Sequence, residues 1–107
     1  MFARVIAVRA KSGRAGDLAK TIREKILPIL EEQLGFVDEI LLVSDTERDQ
    51  LLALSFWKTH QDAERFTHEH YLRINGLISH LVEGAPISRT FNVDAFRSHH
   101  IAAGKAA

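Results

Sequence analysis

Two neighbouring stretches, FVDEILLVSD at 36–45 and QLLALSFW at 50–57, are apolar on both of their alternating faces. In an extended chain, successive side chains point to opposite sides. Phe36, Ile40 and Leu42 fall on one side of the first stretch, and Val37, Leu41 and Val43 on the other. In the second, Leu52, Leu54 and Phe56 oppose Leu51, Ala53 and Trp57. A strand in a half-solvated sheet alternates apolar with polar residues. These two do not, so a sheet built on them needs cover on both faces. The polar link TERD between them marks a hairpin.

The remaining elements follow from periodicity. FARVIAVR at 2–9 reads as a strand, with Phe2, Ile6 and Val8 on one face beside Arg4, and Ala3, Val5 and Ala7 on the other. KSGRAG at 11–16 is a turn. Leu18, Ile22, Ile26, Ile29 and Leu30 recur at helical spacing and predict a helix over 15–34. Pro28 inside it frees the carbonyl of Glu24 and should kink or split the helix, and Gly35 suits its stop. A second helix starts at an N-cap on Thr59, with Asp62 three residues on. Its stripe runs through Ala63, Phe66, His70, Ile74, Leu77 and Leu81, and Gly84 and Pro86 end it. ISRTFNV at 87–93 is the last strand.

The order β-α-β-β-α-β predicts an α+β, ferredoxin-like domain over 1–93, with two helices on one face of a four-stranded antiparallel sheet. Residues 94–107 form a small, polar tail expected to be partly disordered. A chain of 107 residues leaves no helix to cover the second sheet face. A second copy of the same sheet is the simplest cover, so a homodimer through that face is expected. Burying about 600–900 Å² per chain at roughly 25 cal/mol/Å² exceeds ten kcal/mol before association costs.

Composition narrows the function. Lys+Arg and Asp+Glu both number 14, so the basic surplus of a nucleic-acid binder is missing. No Lys/Arg cluster marks a membrane surface, and no apolar run approaches the roughly 20 residues of a bilayer span. The start alternates like a strand and lacks the continuous apolar run of a signal peptide, so a cytoplasmic location is expected. With no cysteine, disulfides, thiolate metal sites and a cysteine nucleophile are excluded.

Laid out this way, the sequence resembles the antibiotic biosynthesis monooxygenase domain family of the dimeric α/β-barrel superfamily, over roughly residues 1–93. The resemblance rests on Lys11-Ser12-Gly13 after strand one, Gly35-Phe36 opening strand two, Phe56-Trp57-Lys58-Thr59 ending strand three, and Asp62-Ala63 and Phe66 early in the second helix. It implies a homodimer whose sheets form a barrel around an apolar cavity. Some members of the family oxidise aromatic polyketides or quinols with O₂ and no metal or flavin. Others degrade haem, and one group isomerises a small phosphorylated signal. The haem-degrading pattern wants an asparagine in strand one, a tryptophan early in helix two and a histidine about ten residues later. Here Ile6 and Ala7, Phe66, and Asn75-Gly76 stand at those places, which argues against that branch.

Several residues carry chemistry in this reading, each beside a plainer structural role. Trp57 ends a central strand on the same side as Ser55, where it could stack on a planar substrate or serve as a core or interface aromatic. His70 sits on the apolar stripe between Phe66 and Ile74; it is the candidate base for a phenolic proton, or a core histidine satisfied by a backbone carbonyl. Arg4 and Arg89 lie within apolar strand faces and suit an oxyanion, or pairing with Asp38 or Glu39. Ser88, Thr90 and Asn92 form a polar face on the last strand, where Asn92 could orient a substrate carbonyl. His60, Glu64 and His68 share a helix face, where i,i+4 pairing outweighs a metal site. His99 and His100 lack context.

The function expected from these residues and the resemblance is a cofactor-independent monooxygenase for a small planar aromatic or quinol-like substrate. His70 is the base, Trp57 and Ser55 the wall, and Arg4 or Arg89 the oxyanion partner, with no metal or cofactor. A non-catalytic binding or stress-response protein, or an isomerase using two arginines, are the alternatives.

Overall fold

The computed structural model describes residues 1–97. Strands β1 (Phe2–Arg9), β2 (Phe36–Val43), β3 (Gln50–Trp57) and β4 (Ile87–Asn92) form one sheet in the order β2-β3-β1-β4, with every neighbouring pair antiparallel. Helical segments α1 (Ala15–Thr21) and α2 (Leu27–Glu31) connect β1 to β2, and α3 (His60–Ile78) connects β3 towards β4. This is the expected ferredoxin-like arrangement.

Pro28 leaves its mark upstream of itself. Residues Ile22–Ile26, between α1 and α2, form a π-helical turn in which the Leu27 N–H bonds to the Ile22 carbonyl. The wider turn makes room for a ring that would otherwise crowd the preceding turn. It also keeps Leu18, Ile22, Ile26 and Leu30 buried at steps of four. The helix stops at Glu31 rather than at 34, leaving Leu34 exposed.

Gly35 takes φ +82°, a conformation that favours glycine, and its carbonyl accepts from the Lys58 N–H at 2.8 Å. A β-bulge follows: Phe36 pairs with Trp57, but Asp38 pairs with Phe56. The extra residue reverses the face of Phe36. It lies with Leu41 and not, as simple alternation predicts, with Ile40 and Leu42. Across the hairpin, Asp49 adopts φ 63°, which its short polar side chain tolerates, and its carboxylate accepts from the Gly13 N–H.

The N-cap of α3 is reciprocal. Thr59 Oγ1 accepts from the Asp62 N–H at 3.1 Å and its hydroxyl donates to the Asp62 carboxylate at 2.9 Å. The Thr59 hydroxyl first, and then Arg65, hold the Asp62 carboxyl below the usual carboxylate range.

The core lies between sheet and helices, around Leu18, Ile22, Ile26, Leu51, Trp57, Ala63 and Leu81. The other sheet face stays uncovered in the single chain. Ile40, Leu42, Ile87 and Phe91 are each 45–59% exposed there. Phe96 reaches back to Phe56, with ring centroids 5.4 Å apart, and covers one corner. The expected tail from 94 is thus packed at its start; residues 98–107, with His99 and His100, lie outside the described residues. No helix of the described residues is long and apolar enough to cross a membrane.

Candidate functional site

Cross-strand register assigns every candidate on the sheet to a face. Phe2 pairs with Trp57 and Asn92, and Arg4 with Ser55 and Thr90. Directly opposed residues project to the same side. Trp57 packs on Phe66 of α3. So Arg4, Ser55, Trp57 and Asn92 face the helix layer, while Arg89, opposite Val5, faces the open side.

A cavity between two sheets would receive only Arg89 of the six candidate residues. Alternation says which residues share a face, but not which face the helices cover. Arg4 and Arg89 therefore lie on opposite sides of one chain, and the paired arginines expected of an isomerase do not form within it.

On the helix side, a ladder of rings runs outward from the core. Phe36 meets Trp57 edge-on at 5.7 Å between centroids, Trp57 meets Phe66 at 5.3 Å, and Phe66 meets His70 at 5.3 Å. Trp57 is only 1% exposed, and its indole N–H donates to Ser55 Oγ at 2.9 Å. It is a core residue that fixes Ser55. His70, half-buried, is the outermost ring, with Glu69 Oε2 at 3.9 Å from its Nε2.

Arg4 is 9% exposed and bound to α3, not to Asp38 or Glu39. Its Nη1 donates to the Thr67 hydroxyl and to the Ala63 carbonyl at 3.4 Å, and Nη2 lies 3.3 Å from Glu64 Oε1. The same carboxylate oxygen is 3.2 Å from His60 Nε2, the i,i+4 pair read from the sequence. Among the described residues, no group of three or more His, Asp or Glu is placed to hold a metal ion.

The layer between sheet and α3 is closed at its ends and looser in the middle. Ala63 and Leu81 are fully or almost fully buried, whereas Phe66, His70, Ile74 and Leu77 on the helix, and Ile6, Ala53 and Ser55 beneath, are half-buried. Asn92, Thr90 and Ser88 extend this side onto the exposed strand β4. This half-buried layer carries an apolar wall, the Ser55 hydroxyl on its sheet side and the His70 imidazole on its helix side. Two surface hollows, of about 380 and 390 Å³, lie elsewhere, by Lys20 and His80 and by the hairpin at Leu42–Gln50.

From the sequence, Glu39 is expected only as a partner for an arginine. Glu39 is opposite Ser55 on the helix side, and its Oε2 is buried without a hydrogen-bond partner. Burial, and then the nearby Glu31 and Asp38, push its carboxyl up to about 7. The signal available in the sequence was a single acidic residue in a strand otherwise apolar on that side.

The family profile of antibiotic biosynthesis monooxygenases matches residues 1–75. The chain belongs to this family. No curated protein sequence matches it. Antibiotic biosynthesis monooxygenases and other solved structures share its fold at low identity. The cofactor-independent oxygenase SnoaB of Streptomyces nogalater superposes with a TM-score of 0.74 at 13% identity, covering 92% of this chain and 97% of that one. The ActVA-Orf6 monooxygenase of Streptomyces coelicolor, in complex with nanaomycin D, gives 0.75 at 12% identity and 92% coverage of both chains. PA3566 of Pseudomonas aeruginosa gives 0.71 at 18% identity, covering 88% of this chain and 94% of that one.

Proposed function

We propose that this antibiotic biosynthesis monooxygenase family member oxidises a small planar aromatic or quinol-like substrate with O₂, using no bound metal or organic cofactor. The observation that carries the reading is the half-buried layer between the sheet and α3, where an aromatic ladder ends at His70, and Trp57 fixes the Ser55 hydroxyl on the sheet side. Two fold neighbours that are oxygenases, one of them holding a small organic ligand, support it.

In this reading the substrate ring lies along Phe66 and His70, over Ile6, Ala53 and Ser55. Trp57 supports that wall from below, and Asn92 sits on the rim. His70 takes a proton from an activated C–H. The anion passes one electron to O₂, and the resulting radical and superoxide combine to a hydroperoxide. Loss of water from a hydroperoxide at a former CH₂ centre leaves the carbonyl, so one oxygen atom enters the product and the other leaves as water. The protein contributes orientation, exclusion of water and the proton acceptor.

The open sheet face completes the assembly as a homodimer contact, which places Arg89 at the interface and outside the reaction site. A binding role without turnover is the second reading, favoured by the complete burial of Trp57, which keeps the largest ring off the ligand.

O₂ uptake by the purified chain with a panel of anthrones and naphthohydroquinones, in the presence of a chelator, tests the proposal. Saturable uptake lowered by His70→Ala is expected. Uptake no faster than buffer autoxidation across the panel would overturn it.

A further inference from the structure

A polar row crosses the sheet beneath the helices. Glu39 on β2 opposes Ser55 on β3, Ser55 opposes Arg4 on β1, and Arg4 opposes Thr90 on β4. On β2, β3 and β1 the rows that flank it are apolar: Phe36, Trp57 and Phe2 on one side, Leu41, Ala53 and Ile6 on the other. Polar atoms in such a layer destabilise the fold unless each finds a partner. Two here do not. Arg4 Nε and Glu39 Oε2 are both buried and unpartnered.

The two groups do not satisfy each other. They sit two strands apart, about 10 Å at the usual inter-strand spacing, and the Arg4 guanidinium is drawn instead to Ala63, Thr67 and Glu64. Between them stands Ser55, whose oxygen accepts from Trp57 and whose O–H remains to donate. One free acceptor, one free N–H and one hydroxyl in a row match a ligand hydroxyl, which gives a proton on one side and receives hydrogen bonds on the other.

We propose that Glu39 accepts the proton of a substrate hydroxyl bound over Ser55, and that Arg4 Nε–H and the Ser55 hydroxyl hold the oxyanion left behind. The proposal rests on the oxygenase reading above and assigns, for a phenol or quinol substrate, the residues of its first proton transfer. The substrate O–H bond breaks, its electron pair stays on the substrate oxygen, and the proton passes to Glu39; nothing is oxidised in this step. A carboxyl raised to about 7 is matched to that exchange near neutral pH. Burial sets it first, and then Glu31 from α2 and Asp38 from its own strand. Arg4 stands in the same row from β1, and the α3 pair Glu64 and His60 is already engaged with each other and with Arg4. His70 is then free for the later proton steps of oxygen transfer.

Infrared difference spectra under nitrogen test the step without O₂ chemistry. Adding 1-naphthol to the wild-type protein should raise a protonated-carboxyl band that is missing in Glu39→Gln, while quenching of Trp57, the only tryptophan, reports binding in both. In air, kcat/KM of Glu39→Gln should fall by at least about 100-fold and lose its pH-dependent limb near neutrality. Ser55→Ala, a smaller change, should keep the band and weaken turnover. The proposal is overturned if naphthol binds without the band, if it does not bind, or if Glu39→Gln turns over like wild type. The band without wild-type O₂ uptake would retire the oxygenase reading and leave the proton transfer standing; uptake without the band would do the reverse.

Discussion

The α-carbon of Gly35 sits so close to the carboxyl of Asp62 that a β-carbon built on it would collide with that side chain. The contact joins the start of β2 to the capped first turn of α3, and the φ of +82° adds a second reason for glycine. Gly35→Ala should destabilise the fold by about 2–4 kcal/mol through strain at both points. Gly76→Ala is the control, because a β-carbon there meets open space within a helix. It should stabilise by about 0.5–1 kcal/mol. Urea unfolding of the two variants beside wild type checks both signs; equal midpoints would contradict the packing described.

Thr59 both accepts from the Asp62 N–H and donates to its carboxylate. Thr59→Ala should cost about 1 kcal/mol and let the Asp62 carboxyl rise, while Thr59→Ser should retain most of both. Thermal melts, with NMR titration of the Asp62 carboxyl, read the two effects. An alanine variant with unchanged stability would remove the cap from the account.

Glu39 carries a pH dependence of known sign. Its carboxyl ordinarily titrates near 4.5, and the fold raises it to about 7. Between those values the folded chain holds a proton that the unfolded chain releases. Stability is therefore fully present at the acid end of the window and is lost as pH rises through it, by at most about 1.4 kcal/mol per unit and less for a half-solvated group. Glu39→Gln should gain stability over wild type at pH 8 and gain little at pH 4.5. Denaturant midpoints at the two pH values measure this, and a difference of opposite sign would contradict it.

Leu54 lies at the middle of the open face, paired with Ile40 and Val5. Leu54→Glu should break the proposed homodimer while leaving the helix-side core intact. Sedimentation is expected to give a species of twice 12.0 kDa for wild type and of 12.0 kDa for the variant, with the same circular dichroism. Wild type sedimenting as a 12.0 kDa monomer at micromolar concentration would refute the sheet-to-sheet contact.

The strand order and the helix positions were legible because hydrophobic period and turn chemistry agree along most of the chain. Two local features were not. A bulge is invisible to simple alternation, so Phe36 changed sides, and although Pro28 splits the helix as expected, periodicity does not show that the split takes the form of a π turn. The site was legible only as a set of residue types. Spacing puts Ser55 with Trp57, and Arg4 with Phe2, Ile6 and Val8, but the register that joins the two sets and the face the helices cover are tertiary facts. Glu39 was passed over because its character comes from burial beside Glu31, a residue on another element.

In the proposed mechanism ligand binds between the sheet and α3, and the opposite sheet face serves assembly. Amide chemical shifts titrated with a naphthohydroquinone under nitrogen test it most directly. Shifts concentrated at Ile6, Ser55, Phe66, Thr67 and His70 are predicted. Shifts confined to Ile40, Leu54, Ile87, Arg89 and Phe91, or none at all, would contradict it.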